Sequence, residues 1–146
     1  MKIAIGCDHG GLELKNLLLP HLLSKGYEPV DFGTFTSSSC DYPEFAAAAA
    51  KAVACGSCEK GIVLCTTGIG ASICANKIHG IRCALLSDTK SAEMTRLHND
   101  TNMMALGAGI ISHELALQIV DVWLDTPFSN EPRHQRRIDK MMALEK

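Results

Sequence analysis

The order of residues predicts an α/β fold, a doubly wound parallel sheet of about five strands with helices on both faces. Short apolar runs alternate along the chain with longer stretches in which apolar residues recur at helical spacing. The runs are apolar throughout, as strands are when both faces of a sheet are covered. At 146 residues the chain has the size of one domain, and no linker or internal repeat divides it, so residues 1–146 are read as a single domain.

The elements follow in order. KIAIGC at 2–7 is the first strand, and Leu12, Leu14, Leu17, Leu18, Leu22 and Leu23, after Gly10 and Gly11, mark the first helix. Gly26 supplies the left-handed residue that ends this helix, and 27–32 is the second strand. The polar stretch 33–42 is a loop, and Pro43 suits the first turn of an alanine-rich helix that runs through Val53. GIVLC at 61–65 is the third strand, TTGIGAS a glycine turn, and 73–78 a helix. The fourth strand is 81–86, Asp88 opens a helix toward His98, 103–106 is the fifth strand, and 113–124 is an amphipathic helix. Beyond Pro127 and Pro132 a charged helix covers 133–144, placed to reach a partner subunit.

Fourteen Lys and Arg against sixteen Asp and Glu leave a formal charge of −2, so no global field draws the chain to nucleic acid or to an acidic membrane. Any anion site must be local. No apolar run approaches a membrane span, and the N-terminus lacks the long apolar centre of a signal peptide. Seven cysteines scattered through strands and helices do not form the framework of a secreted disulfide protein. A reducing, cytoplasmic location is expected.

Doubly wound sheets bind ligands beyond the carboxyl ends of their strands. That rule selects CDHGG, CTTGIGAS, the Ser87-Asp88 pair and GAG. The turn at 66–72 leads from strand to helix, so backbone N–H groups and the helix dipole face whatever occupies it. It lacks the Lys-Ser/Thr of a P-loop. As a dinucleotide fingerprint it has Ile73 where the third glycine belongs, although Asp88 lies at about the right separation to hold a ribose. A tight turn without a ligand is the plain alternative. Cys65 closes the strand where a helix N-terminus lowers a thiol pKa, which favours a reactive thiol; a buried inert cysteine is the commoner fate, expected also of Cys74 and Cys83. Cys55-Gly-Ser-Cys58 lacks the further ligands of a zinc site and does not follow a strand, so it is read as a solvent-side coincidence.

Asp8 and His9 follow the first strand, and His98, Asn99 and Asp100 end the helix after the fourth. Both histidines and a carboxylate are expected at one edge of the sheet. Arg133, His134, Arg136 and Arg137 open the last helix, where cations oppose the dipole. Arg133 and Arg137 lie one turn apart and face one way, which suits a phosphate; a solvated charged face is the alternative.

The segments CDHGG, SSSCDYPEFA, CTTGIGASICANK, GIRCAL, HNDTN and RHQRR, in this order over nearly the whole chain, resemble the type B ribose-5-phosphate isomerases and their sugar-phosphate isomerase relatives. The resemblance implies a Rossmann-like fold and a metal-free, cofactor-free aldose–ketose isomerase that interconverts ribose 5-phosphate and ribulose 5-phosphate through an enediolate. It implies a homo-oligomer, a dimer or dimer of dimers, with active sites shared between subunits. Cys65 matches the family's proton-moving base, His98 with Asp8 nearby its ring-opening pair, and Thr67 an assisting hydroxyl. Gly68, Gly70 and Ala71 match the turn that stabilises the enediolate, His9, Tyr42 and Asn99 match sugar contacts, and Arg133, Arg137 and His134 match the phosphate-binding group.

Two positions depart from the family's pattern. Thr66 follows the cysteine where glycine is usual, and Gly109 stands where the family often has an arginine. Isomerisation of a six-carbon phosphate such as allose or galactose 6-phosphate, or of a four-carbon one, is the alternative chemistry. A nucleotide-binding module and a non-catalytic subunit are the alternatives without it.

Overall fold

The computed structural model describes residues 1–145. Strands β1 (Lys2–Cys7), β2 (Glu28–Asp31), β3 (Lys60–Cys65), β4 (Cys83–Leu85) and β5 (Met103–Gly107) form one parallel sheet in the order β2-β1-β3-β5-β4. The helices are α1 (Leu12–Ser24), α2 (Tyr42–Ala54), α3 (Ile69–Asn76), α4 (Thr89–Asn99), α5 (His113–Asp125) and α6 (Pro132–Met142). One core, with Leu14, Leu18, Ile119 and Trp123, lies between the sheet and α1, α4 and α5; the other, with Ala46, Ala49, Val53, Ala71 and Ala75, lies under α2 and α3. The sheet is thus covered on both faces, and β1, β3 and β5 are almost wholly buried, as continuous apolar runs require.

The edge strands are shorter than their apolar runs. β2 and β4 cover four and three residues where six each were expected. Each pairs on one side only, and Pro29 in β2 has no N–H to extend the ladder. A 3-10 turn at His9–Gly11, which periodicity does not reveal, joins β1 to α1. Helix α3 starts at Ile69, four residues earlier than expected, because Gly68 at φ 76° completes the reversal by itself and its carbonyl accepts the first helical bond from Ser72 N–H.

The connection after β1 leads outward to β2, and the next connection returns past β1 to β3, so the chain changes direction between β1 and β3. The crevice of a doubly wound sheet lies at that reversal, beyond the carboxyl ends. Cys7 and Leu64 pair there, immediately before Asp8 and Cys65. At the other end of the chain α6 packs against α4, and Ser129 N–H donates to the Leu97 carbonyl at 3.3 Å. Arg133, Arg136 and Arg137 on α6 are exposed.

Candidate active site

Cys65 ends the central strand β3, and its side chain is buried at the mouth of a cleft of about 360 Å³. Gly68 N–H donates to its sulfur at 3.1 Å, so the sulfur is an acceptor at the entry to α3. Thr67 Oγ1 accepts from Ile69 N–H at 3.2 Å. With Gly68 turned to the thiol and Ile69 to Thr67, the first-turn amides of Gly70 and Ala71 are the ones left to a ligand. Asp8, Tyr42, Thr66, Thr67 and Gly70 line this cleft with Cys65.

Each neighbour is fixed by a local device. Asp8 is buried, and its Oδ1 accepts from Gly10 N–H at 2.9 Å and Gly11 N–H at 3.2 Å, capping the 3-10 turn. No buried side-chain oxygen lacks a partner among the described residues, so the unbonded Oδ2 is the oxygen that opens to the cleft. His9 is exposed beside it, and its Nδ1 accepts Cys40 N–H at 3.2 Å, which ties the 33–41 loop to the site. Lys15 holds the base of that loop from below: its Nζ donates to Asp31 at 2.9 Å and to the Thr34 carbonyl, and it lies under the Phe35 ring. Tyr42 opens α2 and stands over Gly70, where a Cβ would strike its ring.

A second cluster forms a separate cleft of about 420 Å³, lined by His98, Asn99, Arg133, His134 and Arg137. The His98 and His134 rings lie 4.5 Å apart. Arg133 pairs at 2.8 Å with Glu131, the residue before α6, so one carboxylate offsets part of the positive charge that opposes the helix dipole. Asp100, left-handed at φ 44°, closes α4. Buried Arg96 ties this turn down through Asp100 and the carbonyls of Thr101 and Thr126. Arg82, just before β4, donates to the Asn99 and Asp100 carbonyls.

These last contacts correct the placement of His98. In a parallel sheet each helix runs back from the carboxyl edge, so the end of α4 lies at the amino edge, beside the start of β4 and β5. The first cluster lies at the opposite edge. Six-residue β3 separates the two by about 17 Å, at about 3.3 Å per residue. Within one chain, therefore, Asp8 and His98 do not meet, and neither do Cys65 and the arginines.

Asp88 caps α4 through Ser91, one oxygen taking the N–H at 2.6 Å and the other the hydroxyl at 3.1 Å. Both oxygens serve the start of α4, so Asp88 has a structural role as the helix cap without a ribose. Cys55 is exposed and Cys58 buried, so the pair is not wholly on the solvent side as expected. Cys74 and Cys83 are half-buried rather than buried as expected, and desolvation still pushes the Cys83 thiol up to about 12. Sequence reasoning missed Lys15, Arg96 and Ser129. Lys15 carried a signal, since it falls on the stripe of Gly11, Leu18 and Leu22 that periodicity buries.

The chain matches the Ribose/Galactose Isomerase family over residues 3–141. It is 46% identical to ribose-5-phosphate isomerase B of Escherichia coli, over 99% of this chain and 96% of the relative. The solved structure of ribose-5-phosphate isomerase B from Clostridium thermocellum superposes with a TM-score of 0.96 at 47% identity, covering 99% and 97% of the two chains. That of the Mycoplasma genitalium enzyme with bound ribulose 5-phosphate gives a TM-score of 0.93 at 37% identity, covering 97% and 94%. With the family model matched over residues 3–141 and relatives matched over nearly their full length, the chain belongs to the Ribose/Galactose Isomerase family.

Proposed function

We propose that the chain interconverts ribose 5-phosphate and ribulose 5-phosphate through an enediolate, without a metal ion, in a homo-oligomer whose active sites are shared between copies. The observation that carries this reading is Cys65, held by Gly68 N–H at the carboxyl end of β3 with the open amides of Gly70 and Ala71 beside it. An α-proton of a sugar is weakly acidic, so a base alone is insufficient; donors aimed at the developing oxyanion supply much of the rate. Cys65 as thiolate takes the proton from C2 of the open-chain aldose and returns it to C1, while the O2 hydroxyl loses a proton and O1 gains one. The Gly70 and Ala71 amides hold the enediolate oxygens, with Thr67 assisting. His98 and Asp8 open the ring, Tyr42, His9 and Asn99 contact the sugar, and Arg133, His134 and Arg137 hold the phosphate.

The two-edge arrangement supports sharing. A five-carbon phosphate cannot span the length of β3 from Cys65 to Arg137, so each site needs the carboxyl edge of one copy and the amino edge of another. The arginine-rich face of α6 is exposed for that purpose, and Ile69 and Ile73, each about half exposed beside the Cys65 cleft, offer apolar surface to a second copy. No helix among the described residues is long and apolar enough to cross a membrane, and seven free cysteines suit the reducing cytoplasm.

Isomerisation assays over sugar phosphates of four to six carbons test the activity and its substrate together. Turnover should be highest with ribose 5-phosphate. A clear preference for a six-carbon phosphate would move the assignment to that sugar, and no turnover on any of them would end it.

A further inference from the structure

His134 is the one histidine of six that the fold buries. Its Nδ1 lies 2.7 Å from Ser129 Oγ, in the segment between α5 and α6, and that hydroxyl oxygen also accepts Glu131 N–H at 3.2 Å. With its oxygen turned to Glu131, the hydroxyl has its own proton to direct at Nδ1. Among the described residues Nε2 has no partner and no side-chain nitrogen buried from solvent lacks one, so Nε2 opens into the cleft that His98, Arg133 and Arg137 line.

We propose that Ser129 is a positioning residue that holds His134 in the Nε2-protonated tautomer, so that the cleft presents an uncharged N–H donor beside Arg133 and Arg137 to a phosphate oxygen. This rests on reading the cleft as the anion-binding half of the shared site. The surroundings favour the uncharged ring. Burial foremost, then His98 on α4 and Arg133 and Arg137 on α6, draw its pKa below the ordinary histidine value; Glu131 acts in the other direction but is paired with Arg133. A third cation here would repel two guanidinium groups, whereas a neutral N–H adds a directed bond to the oxyanion without that cost. Because the two imidazoles lie 4.5 Å apart, a fixed His134 ring also gives His98 a fixed surface.

Nitrogen-15 spectra of the full chain, labelled at histidine and titrated with inorganic phosphate at pH 8, test the assignment. The parent should show His134 protonated on Nε2 and bare on Nδ1, with the Nε2 resonance moving as phosphate binds. Ser129→Ala should mix the tautomers and weaken phosphate binding by about three- to tenfold, the scale of one lost hydrogen bond. Ser129→Thr, which keeps the hydroxyl, should restore both. An Nδ1-protonated ring in the parent overturns the proposal, as does unchanged phosphate affinity in Ser129→Ala. Neither readout needs turnover, so their failure is distinguishable from failure of the isomerase reading.

Discussion

Thr66 occupies the room that a side chain at position 109 would need. A Cβ built on Gly109 would stand 3.0 Å from Thr66 Cγ2 and 3.1 Å from the Thr66 carbonyl oxygen, to which Gly109 N–H already donates at 2.8 Å. On its other side Thr66 meets Gly10, where a Cβ would strike its hydroxyl. Because β1 and β5 flank β3, the threonine sits between the turns that follow them. The two departures from the resembled pattern, threonine after the cysteine and glycine in place of arginine, are one packing solution.

Replacing Gly109 with arginine alone should therefore destabilise the chain, by about 1–3 kcal/mol as overpacking does. Combined with Thr66→Gly, the same change should cost less, with a coupling of about 0.5–2 kcal/mol in a double-mutant cycle by urea unfolding. Strict additivity would contradict the shared packing.

Gly68 and Gly70 should fail differently as alanines. At Gly68, φ is 76° and a Cβ would stand 2.8 Å from the Leu106 carbonyl carbon and 2.9 Å from Gly107 N, atoms of the backbone that cannot turn aside. Gly68→Ala should lower stability by about 1–3 kcal/mol through this strain. At Gly70 the obstacle is the ring of Tyr42, an exposed side chain that can move. Gly70→Ala should unfold near the parent temperature yet raise KM for the sugar phosphate, and thermal melts with steady-state kinetics separate the two effects.

Two cysteines outside the site should report their surroundings. The exposed Cys55 thiol is brought below its ordinary value by the hydroxyl and amide of Ser57, so a maleimide at pH 7 should label it before the buried Cys58. Peptide mapping gives the order, and Cys55→Ser should leave turnover unchanged. Prior labelling of Cys58 would contradict the placement.

Stability should also depend on Cys7. Burial foremost pushes its thiol up to about 11 from 9.0. Between those values the unfolded chain has released this proton and the folded chain still binds it, so stability falls as pH rises through the window; below pH 9 the contribution is complete. Lys60, lowered to about 8 chiefly by burial, acts with the opposite sign between there and 10.5. Comparing Cys7→Ala with the parent isolates the thiol: the variant should lose stability less steeply, by up to about 1.4 kcal/mol per pH unit. Parallel curves would show that Cys7 titrates alike in both states.

The sheet was legible because β1, β3 and β5 are buried on both faces and so read as short continuous apolar runs alternating with helical patterns. The edges of β2 and β4 were not, since an apolar run does not say how many of its residues find a partner. At the site, Cys65 and the glycine turn were legible from strand-to-helix chemistry. The remoteness of His98 was missed because chain order was read without helix direction: His98 follows the fourth strand in sequence but closes the helix that carries the chain back to the other edge. Ser129 left no periodic signal, since it acts from an irregular segment on a ring five residues away.

An isomerase site built from opposite edges of two copies makes a sharp prediction for subunit complementation. Cys65→Ala removes the proposed base from the carboxyl edge, and Arg137→Ala removes a proposed phosphate ligand from the amino edge; each protein alone should be nearly inactive toward ribose 5-phosphate. After exchange, a hybrid dimer contains one site in which both defects meet and one in which neither is present. With random pairing and two-fold symmetry, about a quarter of the parental activity should return. No recovery, with hybrids verified by mass spectrometry of the intact dimers, would contradict the shared site.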